Sequence, residues 1–151
     1  MSGDELQDKL PVIYPSDAIT VRQSVWAWLW AAIPWVVFVA VALSFDFISF
    51  GILPLLLAAM VILPRYLGYR KTAYILTNEY LTIHQGSMMG KYRYDLPMSE
   101  IGSVTVQPGP FGTALGYAAV HLELKDGQVA ILRYVPLASQ LVGYVQTRIG
   151  R

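Results

Sequence analysis

Cysteine is absent from the 151 residues, which excludes disulfides, thiolate metal sites, cysteine-ligated clusters and cysteine nucleophiles. Histidine occurs twice, as His84 and His121, and neither has a second ligand at metal spacing. No glycine-rich stretch ends in the Gly-Lys-Ser/Thr that cradles phosphate, and residues 112–116 (GTALG) read as a close-packed crossover. Ser99 and Ser103 have no base nearby in sequence, and Asp95 and Glu100, which flank Pro97, read as loop caps. Neither a catalytic set nor a cofactor nor a metal is expected. Charge is also scarce: 14% of residues are charged and 55% hydrophobic, against roughly 25% charged in an average soluble domain.

That poverty of charge is concentrated. Residues 24–63 hold one charge, Asp46. Residues 24–43 (SVWAWLWAAIPWVVFVAVAL) are uncharged and, as a helix rising about 1.5 Å per residue, reach about 30 Å, the depth of a bilayer's hydrocarbon core. Residues 48–63 (ISFGILPLLLAAMVIL) form a second apolar run, which Phe45, Phe47, Tyr66 and Leu67 can extend. The connection is so short that the two helices must form an antiparallel hairpin, with a re-entrant second segment as the alternative. Pro34 and Pro54 each lie about ten residues inside a span and predict two kinks at one depth. No histidine falls in the spans, which excludes histidine-held haem or chlorophyll. No ionisable group lies within them either, which argues against a transporter. The polar, slightly acidic residues 1–23 do not resemble a secretory leader.

Flanking charge gives the orientation. The connection has no Lys or Arg, whereas Arg22 precedes the first run and Arg65, Arg70 and Lys71 follow the second. The positive-inside rule then puts both termini in the cytoplasm and Asp46 on the far side. Trp26, Trp28 and Trp30 crowd the cytoplasmic end of the first helix and read as membrane-interface anchors. The expected organisation is a cytoplasmic segment over 1–23, a two-helix transmembrane hairpin over 24–67 and a cytoplasmic β-rich domain over 70–151. Residues 65–151 carry nine Lys or Arg against five Asp or Glu, too thin an excess for nucleic acid. Arg65, Arg70, Lys71, Lys91 and Arg93 are the candidate lipid or partner contacts, each worth about 1 kcal/mol at an anionic leaflet.

From Tyr74 the apolar period changes to two. Strands are expected at 74–77 and 80–85 around Asn78 and Glu79. Another is expected at 91–96, half-buried with Tyr92, Tyr94 and Leu96 inward and Lys91, Arg93 and Asp95 outward. A fourth is expected at 101–107. A hairpin across Asp126 and Gly127 with a two-residue turn pairs Leu124 with Val129 and Leu122 with Ile131 on the core face, and Glu123 with Ala130 and His121 with Leu132 on the other. Pro136 is expected to open a last helix, whose apolar stripe is Leu137, Leu141, Val145 and Ile149.

Residues 74–83 (YILTNEYLTI), 101–106 (IGSVTV) and 111–116 (FGTALG), in that order between a two-helix anchor and a closing helix, resemble the bacterial pleckstrin-homology (PH-like) membrane proteins. The resemblance covers about residues 20–150. It implies a PH-like β-roll with a C-terminal helix, no known chemistry and residence in a bacterial inner membrane. Photosynthetic-complex assembly proteins are one branch with this domain. The usually basic position in the first turn is Glu79 here, which counts against a phosphoinositide-like site. The expected function is a non-enzymatic accessory, assembly or scaffold subunit whose partners are the lipid bilayer and other membrane-protein subunits. An anionic-lipid headgroup sensor is the alternative.

Overall fold

The computed structural model describes residues 16–45, 50–86 and 90–149. The expected turn at Asp46 and Phe47 lies outside the described residues, as does the side chain of Lys91.

Two helices dominate the first half of the chain, α1 (Trp26–Phe45) and α2 (Ile52–Lys71). Both are long and apolar enough to cross a membrane, with mean hydropathies of 2.0 and 1.7. Only 6% and 11% of their apolar windows are buried, whereas the core helix of a soluble protein is mostly buried. Phe38, Val41, Leu56 and Met60 stand exposed. The residues that do bury are small or cyclic, Ala32 on α1 and Pro54 and Ala58 on α2, as close helix approach requires.

Two expectations about the second helix change. The apolar run stops near Leu63, but the helix continues to Lys71, because a helix ends at its cap and not at its last apolar residue. Thr72 turns extended there, and its N–H donates back to the Tyr69 carbonyl. Pro54 is the third residue of α2. An N–H in the first turn has no intrahelical acceptor, so Pro54 produces no mid-span kink. The internal prolines are Pro34 in α1 and Pro64 in α2.

The larger surprise precedes the helices. Ile19–Arg22 forms a strand, β1, that pairs antiparallel with β2 (Ala73–Leu76), placing Arg22 opposite Ala73. The helical pair is therefore inserted between two neighbouring strands of one sheet. β3 (Tyr80–Gly86) and β4 (Lys91–Pro97) complete that sheet in the order β1-β2-β3-β4. A 3-10 turn at Met98–Glu100 leads to a second sheet, β5 (Ile101–Gln107), β6 (Tyr117–Leu124) and β7 (Val129–Pro136), with the short helix α3 (Gly112–Leu115) before β6. Helix α4 (Leu141–Ile149) closes the chain. Leu76, Leu81 and Leu96 from the first sheet and Ile101, Leu122 and Leu132 from the second make one core. Leu141 and Val145 of α4 join it, both fully buried. The expected turn at Asn78 and Glu79 is present, with Leu76 opposite Leu81.

Three local expectations fail. The β6–β7 loop holds three residues: the Leu124 N–H donates to Gln128 O at 2.8 Å, and the Gly127 N–H donates to Leu124 O at 3.0 Å. Gly127 takes φ +86, the left-handed position of a type I turn closed by a bulge. The extra residue shifts the pairing to Glu123 with Val129, Leu122 with Ala130 and His121 with Ile131. A one-residue slip turns side chains to the opposite face, so Val129 and Ile131 lie outside, 52% and 48% exposed. Pro136 ends β7 opposite Tyr117 and does not open a helix. The Leu137 N–H is committed to the Gly116 carbonyl at 2.9 Å, so the stripe begins at Leu141. Tyr92 and Tyr94 are 68% and 56% exposed because β4 is an edge strand whose burial is confined to its Leu96 end.

Candidate functional site

The insertion makes the base of the sandwich a junction with the helical hairpin, and polar bonds lock it. The Gln23 amide donates to the Tyr74 hydroxyl at 2.9 Å and to the Arg133 carbonyl at 3.2 Å, and Tyr74 donates to that same carbonyl at 3.1 Å. The Ser24 N–H donates to Tyr134 O at 2.7 Å. Both acceptors sit at a β7 bulge between the pairs Ala118–Val135 and Val120–Leu132, where Tyr134 takes the left-handed φ of 57. A bulge re-aims the backbone, and here its carbonyls meet the start of α1. Tyr74 is 3% exposed. Burial pushes its phenol above the ordinary value, against the opposing pull of its bonds with Gln23 and Arg133.

On the other side, α2 meets β3 backbone to backbone. A Cβ on Gly86 would collide with Lys71 Cβ and stand 3.0 Å from Gly68 O, so only glycine permits the approach. The Thr72 hydroxyl bridges the contact, donating to Gly68 O at 2.8 Å and accepting from the Gly86 N–H at 3.3 Å.

The three tryptophans at the start of α1 take different partners. Trp30 Nε1 donates to the Tyr117 hydroxyl at 2.7 Å and its ring lies 5.5 Å from that of Phe111. Trp28 packs edge-on against Tyr66 at 5.3 Å, and Trp26 lies 5.9 Å from Trp30. Trp30 and Trp28 thus tie α1 to the second sheet and to α2, in addition to the interface role their composition suggests.

Between these contacts lies a cavity of about 340 Å³ whose lining includes Gln23, Arg65, Tyr69, Tyr74, Gln85 and Arg133, with no Asp or Glu. The candidate basic set divides around it. Arg65 lines the cavity. Arg70 and Lys71 are exposed at the end of α2, with the Arg70 guanidinium 5.9 Å from the Tyr66 ring centroid. Arg93 is on the outer face of β4, ion-paired with Asp95 at 2.7 Å. Partial burial raises the Asp95 carboxyl, but the Arg93 guanidinium and the Thr82 hydroxyl outweigh it and hold the group below its ordinary range. Arg93 thus lies apart from the junction cavity. Arg133, which joins Arg65 in the cavity, was not singled out in the sequence. Its only sequence signal is that it alternates with Leu132 and Tyr134 on a strand.

The far end of the sandwich carries a second cavity of about 880 Å³, lined in part by Glu79, Met98, Ser99 and Arg148. There the Arg148 guanidinium lies 3.5 Å from the Tyr144 ring centroid and donates to Asn78 Oδ1 at 2.8 Å, while Asn78 donates to Asp17 at 2.8 Å. These bonds latch α4 onto the β2–β3 turn. His84 and His121 sit on different sheets, opposite Arg93 and Ile131. Among the described residues no three His, Asp or Glu side chains gather as a metal site would need. Ser103 donates to Glu123 at 2.8 Å, a cross-strand tie on the sheet surface with no histidine in it.

The bacterial PH domain family matches residues 18–149, a span that begins just ahead of β1 and includes the inserted helices. No curated protein and no solved structure matches.

Proposed function

Because this chain belongs to the bacterial PH domain family, we propose that it is a non-enzymatic binding module that crosses the bacterial inner membrane twice. In this reading it holds its β sandwich at the cytoplasmic surface as an accessory or assembly subunit of a larger membrane complex. The observation that carries the reading is the bare edge of β4. Tyr92 and Tyr94 are exposed on a seven-residue strand that pairs on one side only among the described residues. Tyrosine supplies large contact area at low entropic cost, and an unpaired edge accepts an added strand.

The geometry also narrows the partner. β4 starts at Lys91, opposite Gly86 beside α2, and runs away from the hairpin. An antiparallel pair with a second copy would point the two hairpins in opposite directions, which a single bilayer forbids. That rules out a symmetric β4–β4 pair, and this reading takes the added strand from a different subunit; in a phototrophic source the reaction-centre complex is the first to test. A photo-crosslinking residue at Tyr94 is expected to yield one defined adduct with another membrane protein in native membranes, while the same residue at exposed Val129 yields none. Recovery of only the free 16.8 kDa chain from both positions would reject the reading.

A second reading, anionic-lipid binding by the basic set, is favoured by one observation: Arg65, Arg70 and Lys71 occupy the last turns of α2, where a membrane-crossing helix meets the headgroups.

A further inference from the structure

We infer that the junction cavity is a binding site for the phosphate of an anionic lipid headgroup, clamped between Arg65 of α2 and Arg133 of β7. The inference rests on the reading that the hairpin crosses a bilayer, and it deepens the second reading above by naming the site.

Four observations converge. First, the electrostatics are one-sided: two arginines line the cavity and no carboxylate does. Neither arginine has an ion pair among the described residues, whereas Arg93 is held by Asp95 and Arg148 by Asn78. A guanidinium presents a planar fork of donors that matches phosphate oxygens. Second, neutral polar side chains share the wall. Gln23 and Thr72, whose donors are bound to neighbouring groups, line it together with Tyr69 and Gln85. Third, the volume of about 340 Å³ falls in the roughly 300–1,000 Å³ range of small-ligand sites.

The fourth observation selects lipid over free phosphate. An apolar groove of about 580 Å³ runs between the two helices, lined by Trp28, Val39, Leu55, Ala59, Ile62 and Tyr66 among others. The groove and the cavity are lined by consecutive residues on both helices, Ala27 then Trp28 on α1 and Arg65 then Tyr66 on α2. A molecule with a phosphate at one end and an acyl chain at the other meets both linings at that level, and free phosphate meets only one. The cavity exists because β1 and β2 flank the helices. It is a property of the insertion and of neither part alone.

The test uses the full chain, purified in a mild detergent and titrated with phosphatidylglycerol or phosphatidylcholine, with bound lipid counted by native mass spectrometry. Phosphatidylglycerol is expected to be retained at one per chain and phosphatidylcholine not. The Arg65→Gln/Arg133→Gln double variant should lose phosphatidylglycerol affinity by about a hundredfold, since each of the two charge-assisted contacts carries roughly tenfold. An Arg70→Gln/Lys71→Gln variant, changed outside the cavity, should keep it. Arg65→Lys/Arg133→Lys keeps the charge and loses the fork, so it should fall between. Both arginine side chains are exposed, so unchanged thermal unfolding is expected of each variant. Equal loss in the two glutamine pairs, or equal retention in both, would overturn the site. Saturation by inorganic phosphate in lipid-free detergent at concentrations where phosphatidylglycerol is not retained would overturn the lipid assignment. A chain that stays monodisperse without detergent would instead overturn the bilayer reading on which the inference stands.

Discussion

Tyr74 shows how one hydroxyl can hold two parts of a molecule in register. It is buried and accepts from Gln23 while donating to the Arg133 carbonyl, so it joins β1's end, β2 and β7. Tyr74→Phe removes the hydroxyl and leaves the carbonyl and the amide short of a partner. The expected loss is about 1–2 kcal/mol, read as a lowered unfolding midpoint in detergent. The same residue predicts a pH signature. Its folded phenol is raised above the ordinary value of 10.0, so the folded state holds the proton more tightly than the unfolded chain. That contribution is fully present below about pH 10 and is lost as pH rises through the folded value. Unfolding followed across pH 9 to 12 should show an alkaline decline in the wild type that Tyr74→Phe largely removes. An unchanged slope in the variant would assign the decline to other groups.

At the scale of elements, the contact of α2 with β3 holds the hairpin to the first sheet. It depends on Gly86, whose missing side chain lets the strand touch the helix backbone. Gly86→Val must displace Lys71 or separate the strand from α2, an overpacking cost of about 1–3 kcal/mol. The expected outcome is a destabilised junction with an intact far end. Protease access near residue 86 should rise, while hydrogen exchange on β5 and β6 stays at the wild-type level. The β6–β7 hairpin carries a related lesson. A dipeptide of Asp126 and Gly127 signals a turn, but not whether its loop holds two residues or three. That single residue decides whether Ile131 faces the core or solvent.

At the scale of the whole molecule, the hairpin is an insertion rather than a leader. Its two ends are fixed by strands that bond to each other, so the sandwich cannot swing freely about a linker. A fragment of residues 70–151 lacks β1 and with it Val21, a buried member of the core. That fragment is expected to aggregate. Joining residues 16–23 to 72–149 through a short turn restores the β1–β2 pair and should give a soluble, cooperatively folding monomer, checked by chromatography and thermal melting. If the shorter fragment were the better behaved of the two, β1 would not be integral to the fold.

The sequence alone determined what local composition and periodicity carry: two apolar helices, alternating strands from Tyr74 onward, the turn at Asn78 and Glu79 and an amphipathic last helix. These survive because burial and backbone pairing within a few residues depend on nearest neighbours. It left illegible whatever rests on partners distant in the chain. β1 has four residues and little pattern of its own, and its identity as a strand comes from β2 on the far side of the inserted helices. Arg133 is an ordinary surface residue until β7 brings it to Arg65. Tertiary structure decided both, because a hydrogen-bond ladder or a shared cavity is set by which surfaces meet in space, and no periodicity along the chain records that meeting.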